Sequence, residues 1–174
     1  MLRFLQLLAI TVWVGGLCFF AFVLAPTAFG VLPNFHEAGL VVGASLKVFD
    51  KVELGCGAIF LLATAAKFLR AQRSRTLLGV ELGLAVLMVV ATAFLQYRII
   101  PPMDRDQAQV GGDINAVAPT NPARIEFEKL HERSERVAGV TLLLGIVVVF
   151  SMALEQTGLR RTTAGSSAAL RNDK

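Results

Sequence analysis

Charge is what this sequence has least of. Asp, Glu, Lys and Arg make up 17% of its 174 residues, against roughly 25% in an average soluble domain. A chain this short cannot bury in water the apolar surface implied by 55% hydrophobic residues and a mean hydropathy of +0.62. One compact helical bundle in lipid is the natural solution. Cysteine is scarce as well: Cys18 and Cys56 lie inside apolar runs with no CxxC pair and no histidine nearby, so they do not report a disulfide framework. The histidines are His36 and His131, neither with a second ligand at a recognised metal spacing. There is no P-loop, no G-x-S-x-G, no HExxH and no dinucleotide fingerprint, and nothing positive argues for an enzyme. The net charge of +4 does not point to nucleic acid, because the basic residues flank apolar runs instead of forming a patch with exposed aromatics.

What is present is a series of apolar runs. The first, about residues 3–26, carries no formal charge after Arg3 and is long enough to cross the ~30 Å hydrocarbon core. It is longer than a signal-peptide core, and Pro26 follows Ala25 where cleavage would be poorly tolerated, so it is expected to be retained. Pro33-Asn34 marks a turn, and apolar residues at helical spacing over 37–49 predict a short interfacial helix. Further spans are expected over 52–69, 76–100 and 137–154, with a tight turn at 72–75 and a stop at Pro101-Pro102. Residues 103–120 read as the one long loop. Asn121 has the character of an N-cap with Pro122 at the first helical position, opening a charged amphipathic helix that runs into the fourth span.

The expected fold is therefore all-α: a four-helix integral membrane bundle over 1–156, with an interfacial helix between spans one and two, an extended amphipathic start to helix four, and a disordered basic tail over 157–174. Arg3, Lys67, Arg70, Arg73, Arg75, Arg160, Arg161, Arg171 and Lys174 gather at one side against only Glu155 and Asp173, whereas the other side is nearly balanced. The positive-inside rule then puts both termini on the cytoplasmic side.

Glu53 and Glu81 stand out as carboxyls within apolar spans, where an ionisable group is a functional hypothesis by default. A hairpin centred near Gln72 sets Glu81 opposite Thr64, one turn from Lys67. Two readings stay open: a hairpin-locking Lys67 to Glu81 pair, or a polar path through Glu81, Lys67, Thr64, Glu53, Thr92 and Gln96. Gly79 and Gly83 form a GxxxG expected to pack inside the bundle, with a homo-oligomer as the alternative. Gly15 and Gly16 are the expected contact of helix one with the hairpin. His36, His131, Cys18 and Cys56 are weak metal candidates, and no metal site or cofactor is expected. The partner is the lipid bilayer.

The segments VWVGGLCFFAFVLAPTAF, QYRIIPPMDRD and FEKLHERSERVAGVTLLLGIVVVF, in that order, resemble a bacterial family of unknown function, DUF4149, similar to eukaryotic transmembrane protein 205. The resemblance implies a four-span membrane protein with no agreed activity. A more distant resemblance is to the copper-resistance D and membrane protoporphyrinogen oxidase families, whose first helix has a histidine about two turns before its tryptophan. Here Gln6 takes that place before Trp13, which removes the haem or metal ligand. The function classes that remain are help with small-solute or metal transport, a structural membrane module, and, behind both, a haem- or copper-binding redox protein.

Overall fold

The computed structural model describes the backbone of residues 1–70 and 75–172 and the side chains of 1–70 and 76–154. Four helices are long and apolar enough to span a membrane: α1 (Leu2–Val31), α2 (Phe35–Arg70), α3 (Thr76–Gln109) and α4 (Pro122–Asn172), whose apolar stretch follows a charged start and ends at Leu154. They pack as a closed ring in which α1 touches α2, α2 touches α3, α3 touches α4 and α4 returns to α1. Large apolar side chains such as Phe22, Leu62, Val90, Leu143 and Phe150 point outward, as lipid requires of a spanning bundle. All backbone polar groups of such spans are satisfied within the helix, which is why helices were the only open choice.

Each helix outruns its expected span. The segment 37–49 is not a separate interfacial helix. It is the first half of α2, a single helix of 36 residues, about 54 Å long at 1.5 Å per residue. Asn34 starts it: its Oδ1 accepts the Glu37 N–H at 2.8 Å, and its amide donates to Glu37 Oε1 at 3.2 Å, a reciprocal cap with no break afterwards to end the helix.

Pro101-Pro102 does not stop α3 either. A π turn over Leu95–Ile99 precedes the prolines, and the helix continues through Gln109. A proline ring collides with the carbonyl four residues back. Tyr97 and Arg98 hold those carbonyls, and the wider π turn moves them aside. Pro26 is handled the same way by the π turn Phe20–Leu24. What remains of the expected loop is a short link through Gly111 and Gly112, both at positive φ.

α4 opens as the sequence implies, Asn121 Oδ1 accepting the Ala123 N–H at 2.9 Å. Its backbone is helical through 157–172, where composition pointed to a disordered tail. Ala, Leu and Arg there are good helix formers and no proline intervenes. Of the tight turn expected at 72–75, residues 72–74 lie outside the described residues and Arg75 begins a helix.

The centre of the ring is apolar and closely packed around Trp13, Phe60, Met88, Ala85 and Val148. Two glycines permit this. A Cβ at Gly57 would strike Val89 and the Trp13 ring, and one at Gly145 would strike Val14. A second apolar cluster, Leu95, Ile99 and Leu130, binds α3 to the start of α4.

Candidate functional site

Polar side chains enter the bundle at two levels, one on each side of that apolar centre. Two contacts fix the register of the α2–α3 hairpin. Glu53 meets Thr92, whose hydroxyl donates to Glu53 Oε2 at 2.9 Å, and Gly57 meets Val89. Carried along the antiparallel pair, this register sets Thr64 opposite Glu81, as the hairpin reading expects.

The level nearer the chain start takes one residue from each helix: Gln6, Thr64, Glu81 and Ser151, all buried. Each lies about two turns from the central layer in which Trp13, Gly57, Met88 and Gly145 meet. Gln6 Nε2 donates to Thr64 Oγ1 at 2.7 Å, and that hydroxyl donates to the Phe60 carbonyl at 2.7 Å. Ser151 Oγ sits 3.2 Å from Glu81 Oε1. Lys67 is half-buried one turn beyond Thr64.

Gln6 therefore serves as a helix-to-helix hydrogen-bond donor between α1 and α2. Since Thr64 keeps its Phe60 acceptor, Gln6→Leu should change thermal stability by no more than about 1 kcal/mol. A loss several times larger in detergent thermal unfolding would mean that Gln6 holds more than Thr64.

The opposite level is richer in acid. Glu53 is 2% exposed and Asp50, one turn away on the same helix, 1%. Glu53 has Thr92 as its hydrogen-bond partner, with Asp50 one turn away on the same helix. Four buried polar atoms here lack a partner: Asp50 Oδ2, Glu53 Oε1, Trp13 Nε1 and Gln96 Oε1. Gln96 follows Thr92 by one turn on α3, as Asp50 precedes Glu53 by one turn on α2, so the register brings Asp50 and Gln96 to one level. Just beyond, Lys47 Nζ pairs with Asp104 Oδ1 at 2.6 Å.

The named polar residues thus divide into Glu53, Thr92 and Gln96 on one level and Thr64 and Glu81, with Lys67 a turn away, on the other. Glu81 lies eleven residues before Thr92 on α3, which separates the levels by about 16 Å. Sequence reasoning missed Asp50, which stands between Lys47 and Lys51 just beyond the expected interfacial helix 37–49. It missed Ser151 too, although the spacing of Ser151 from the GxxxG helix gave no signal. The continuous α2 is what carries Asp50 inward.

The glycines are redistributed. Gly16 is a contact, since a Cβ there would meet the Phe49 ring, but Gly15 has nothing within 4 Å. Gly79 and Gly83 face outward with nothing within 4 Å, so this GxxxG does not pack inside the bundle; Gly57 and Gly145 take that role. Among the described residues no group of three or more His, Cys, Asp and Glu gathers as a metal site. His36 lies 3.6 Å from Asp113, and His131 lies 3.2 Å from Glu135 on its own helix. Cys18 and Cys56 are free thiols, the latter packed in the core. An apolar groove of about 520 Å³ between α1 and α2, lined by Phe19, Phe20, Val48 and Phe49, opens to the outside and reaches neither glutamate.

Four apolar helices closed around two levels of buried carboxyl and hydroxyl groups define a multi-pass helical membrane protein with an ionisable interior. Within that class the chain belongs to the family described as Domain of unknown function (DUF4149), whose family model matches residues 8–110. The match takes in α1, α2 and α3 with Glu53, Glu81, Thr92 and Asp50, and ends before α4. No curated protein and no solved structure matches the chain.

Proposed function

We propose that the protein assists movement of a small cation across a bacterial cytoplasmic membrane, with both termini in the cytoplasm and the buried carboxyls as its path. The supporting observation is the pair of acidic levels. Glu53 and Glu81 are 2% and 0% exposed, each with a hydroxyl from a neighbouring helix, on either side of an apolar septum. Carboxyls at membrane depth are costly to keep, and amides would pack equally well if packing were all they did.

Glu81→Gln keeps the shape and removes the ionisable group. In proteoliposomes it is expected to abolish cation-dependent flux, and unchanged flux would take Glu81 out of the mechanism. A structural membrane module is the second reading, favoured by the dry glycine-packed centre at Gly57 and Gly145 and by the outward face of Gly79 and Gly83, which is open to a second copy. It predicts that Glu81→Gln lowers thermal stability or oligomer yield and that any phenotype scales with protein level.

A further inference from the structure

The polar level around Glu53 has a donor and acceptor inventory that can be completed by one kind of ligand. We propose that Asp50, Glu53 and Gln96 bind a sodium-sized alkali cation, with Thr92 holding Glu53 in place. This deepens the reading of the protein as a mover of small cations and rests on it for its physiological sense, though the binding itself does not require transport.

Three acceptor oxygens without partners come to this level: Asp50 Oδ2, Glu53 Oε1 and Gln96 Oε1. Oxygen donors of the carboxylate and amide type select hard cations over soft ones. Asp50 and Glu53 are 1% and 2% exposed, so water does not screen them, and an uncompensated pair of carboxyls in such a place is strongly unfavourable. The nearest amine on the same helix face, Lys47, is engaged by Asp104 at 2.6 Å.

The Thr92 hydroxyl donates to Glu53 Oε2 at 2.9 Å, and the fully buried Trp13 indole N–H has no hydrogen-bond partner. Both donors are neutral, so they orient groups at this level without offsetting charge. A monovalent cation offsets one carboxylate, and a proton on the other carboxyl leaves the level neutral. The π turn Leu95–Ile99, in which Gln96 sits, adds a second indication. Such turns loosen the regular carbonyl ladder and occur frequently at functional sites, and interrupted helices are where transporters coordinate sodium.

Trp13 is the single tryptophan of the chain, so the reporter is built in. Purified full-length protein in detergent is titrated with sodium chloride against choline chloride at fixed pH and ionic strength, reading tryptophan fluorescence. A saturable sodium-specific change is expected, its midpoint raised about tenfold or more in Asp50→Asn, a loss of at least one strong ligand. Gln96→Leu should also raise it, and should do so with the helical circular dichroism intact if Asp50→Asn proves unstable. Absence of any sodium-specific change in the wild-type protein overturns the proposal. So does a change that both variants retain, or one driven by pH alone. Sodium binding without flux in proteoliposomes would keep the site and overturn the transport reading.

Discussion

Gly57→Leu should cost the bundle about 3 kcal/mol or more and lower its thermal midpoint by roughly 6 to 12 °C. A single added Cβ at this position already collides with Val89 on α3 and with the Trp13 ring on α1. Neither neighbour is the free end of a flexible chain: Trp13 is fully buried, and Val89 is half-buried and packed against the same core. Leucine adds three more carbons to that collision, so α2 must move away from both helices at once. The comparison is Gly79→Leu, an equal change in volume and helix propensity at a glycine with nothing within 4 Å. It should stay within about 0.5 kcal/mol of wild type. Thermal unfolding followed by size exclusion in detergent measures both. Equal losses at the two sites would show that glycine is kept in these helices for backbone reasons and not for the α1–α2–α3 approach. If Gly79→Leu instead leaves the midpoint alone but changes the elution volume, its open face is a contact between copies.

That contrast also marks how far the chain could be read without coordinates. The number and order of the spans were legible because long apolar runs broken by at most two charges have few structural alternatives, and the α2–α3 register followed from the few residues that separate the two spans in sequence. The Asn121-Pro122 start of α4 was legible for a local reason, since a cap is decided by residues within one turn. The ends of helices were not. Pro26 and Pro101-Pro102 read as breaks, yet π turns four residues upstream absorb them, and nothing in the composition of FAFVL or LQYRI announces a π turn.

The polar interior was legible only in part, again for a physical reason. Glu53 and Glu81 stand out against apolar neighbours, so a scan by hydropathy finds them. Asp50 sits between Lys47 and Lys51 and looks solvated, but on a continuous helix the three point different ways: Asp50 goes inward, Lys47 to Asp104 on α3, and Lys51 outward. Which glycine packs is decided by the helix opposite it, not by the spacing of the glycines. Gly57 and Gly145 belong to no GxxxG and carry the contacts, while Gly79 and Gly83 do and face away.

Trp13→Ala is expected to be the most damaging truncation of a single side chain, at about 3 to 5 kcal/mol. The indole is fully buried at the level where α1, α2 and α3 meet, with Gly57 beneath its ring and Phe60 and Met88 in the same cluster. Gly57 is rigid backbone, so little can move in to fill the space, and the cost should lie toward the upper end of that range. Trp13→Phe separates the two duties of this residue. It restores most of the volume while removing the buried indole N–H, which has no hydrogen-bond partner, so it should recover most of the stability. If the donor matters to the acidic level, sodium affinity, now read by binding of radioactive sodium because the fluorophore is gone, should still fall severalfold. Stability and affinity recovering together in Trp13→Phe would make the indole a packing residue alone. Stability recovering without affinity would tie the core of the bundle to the charge of its interior through the Trp13 indole N–H.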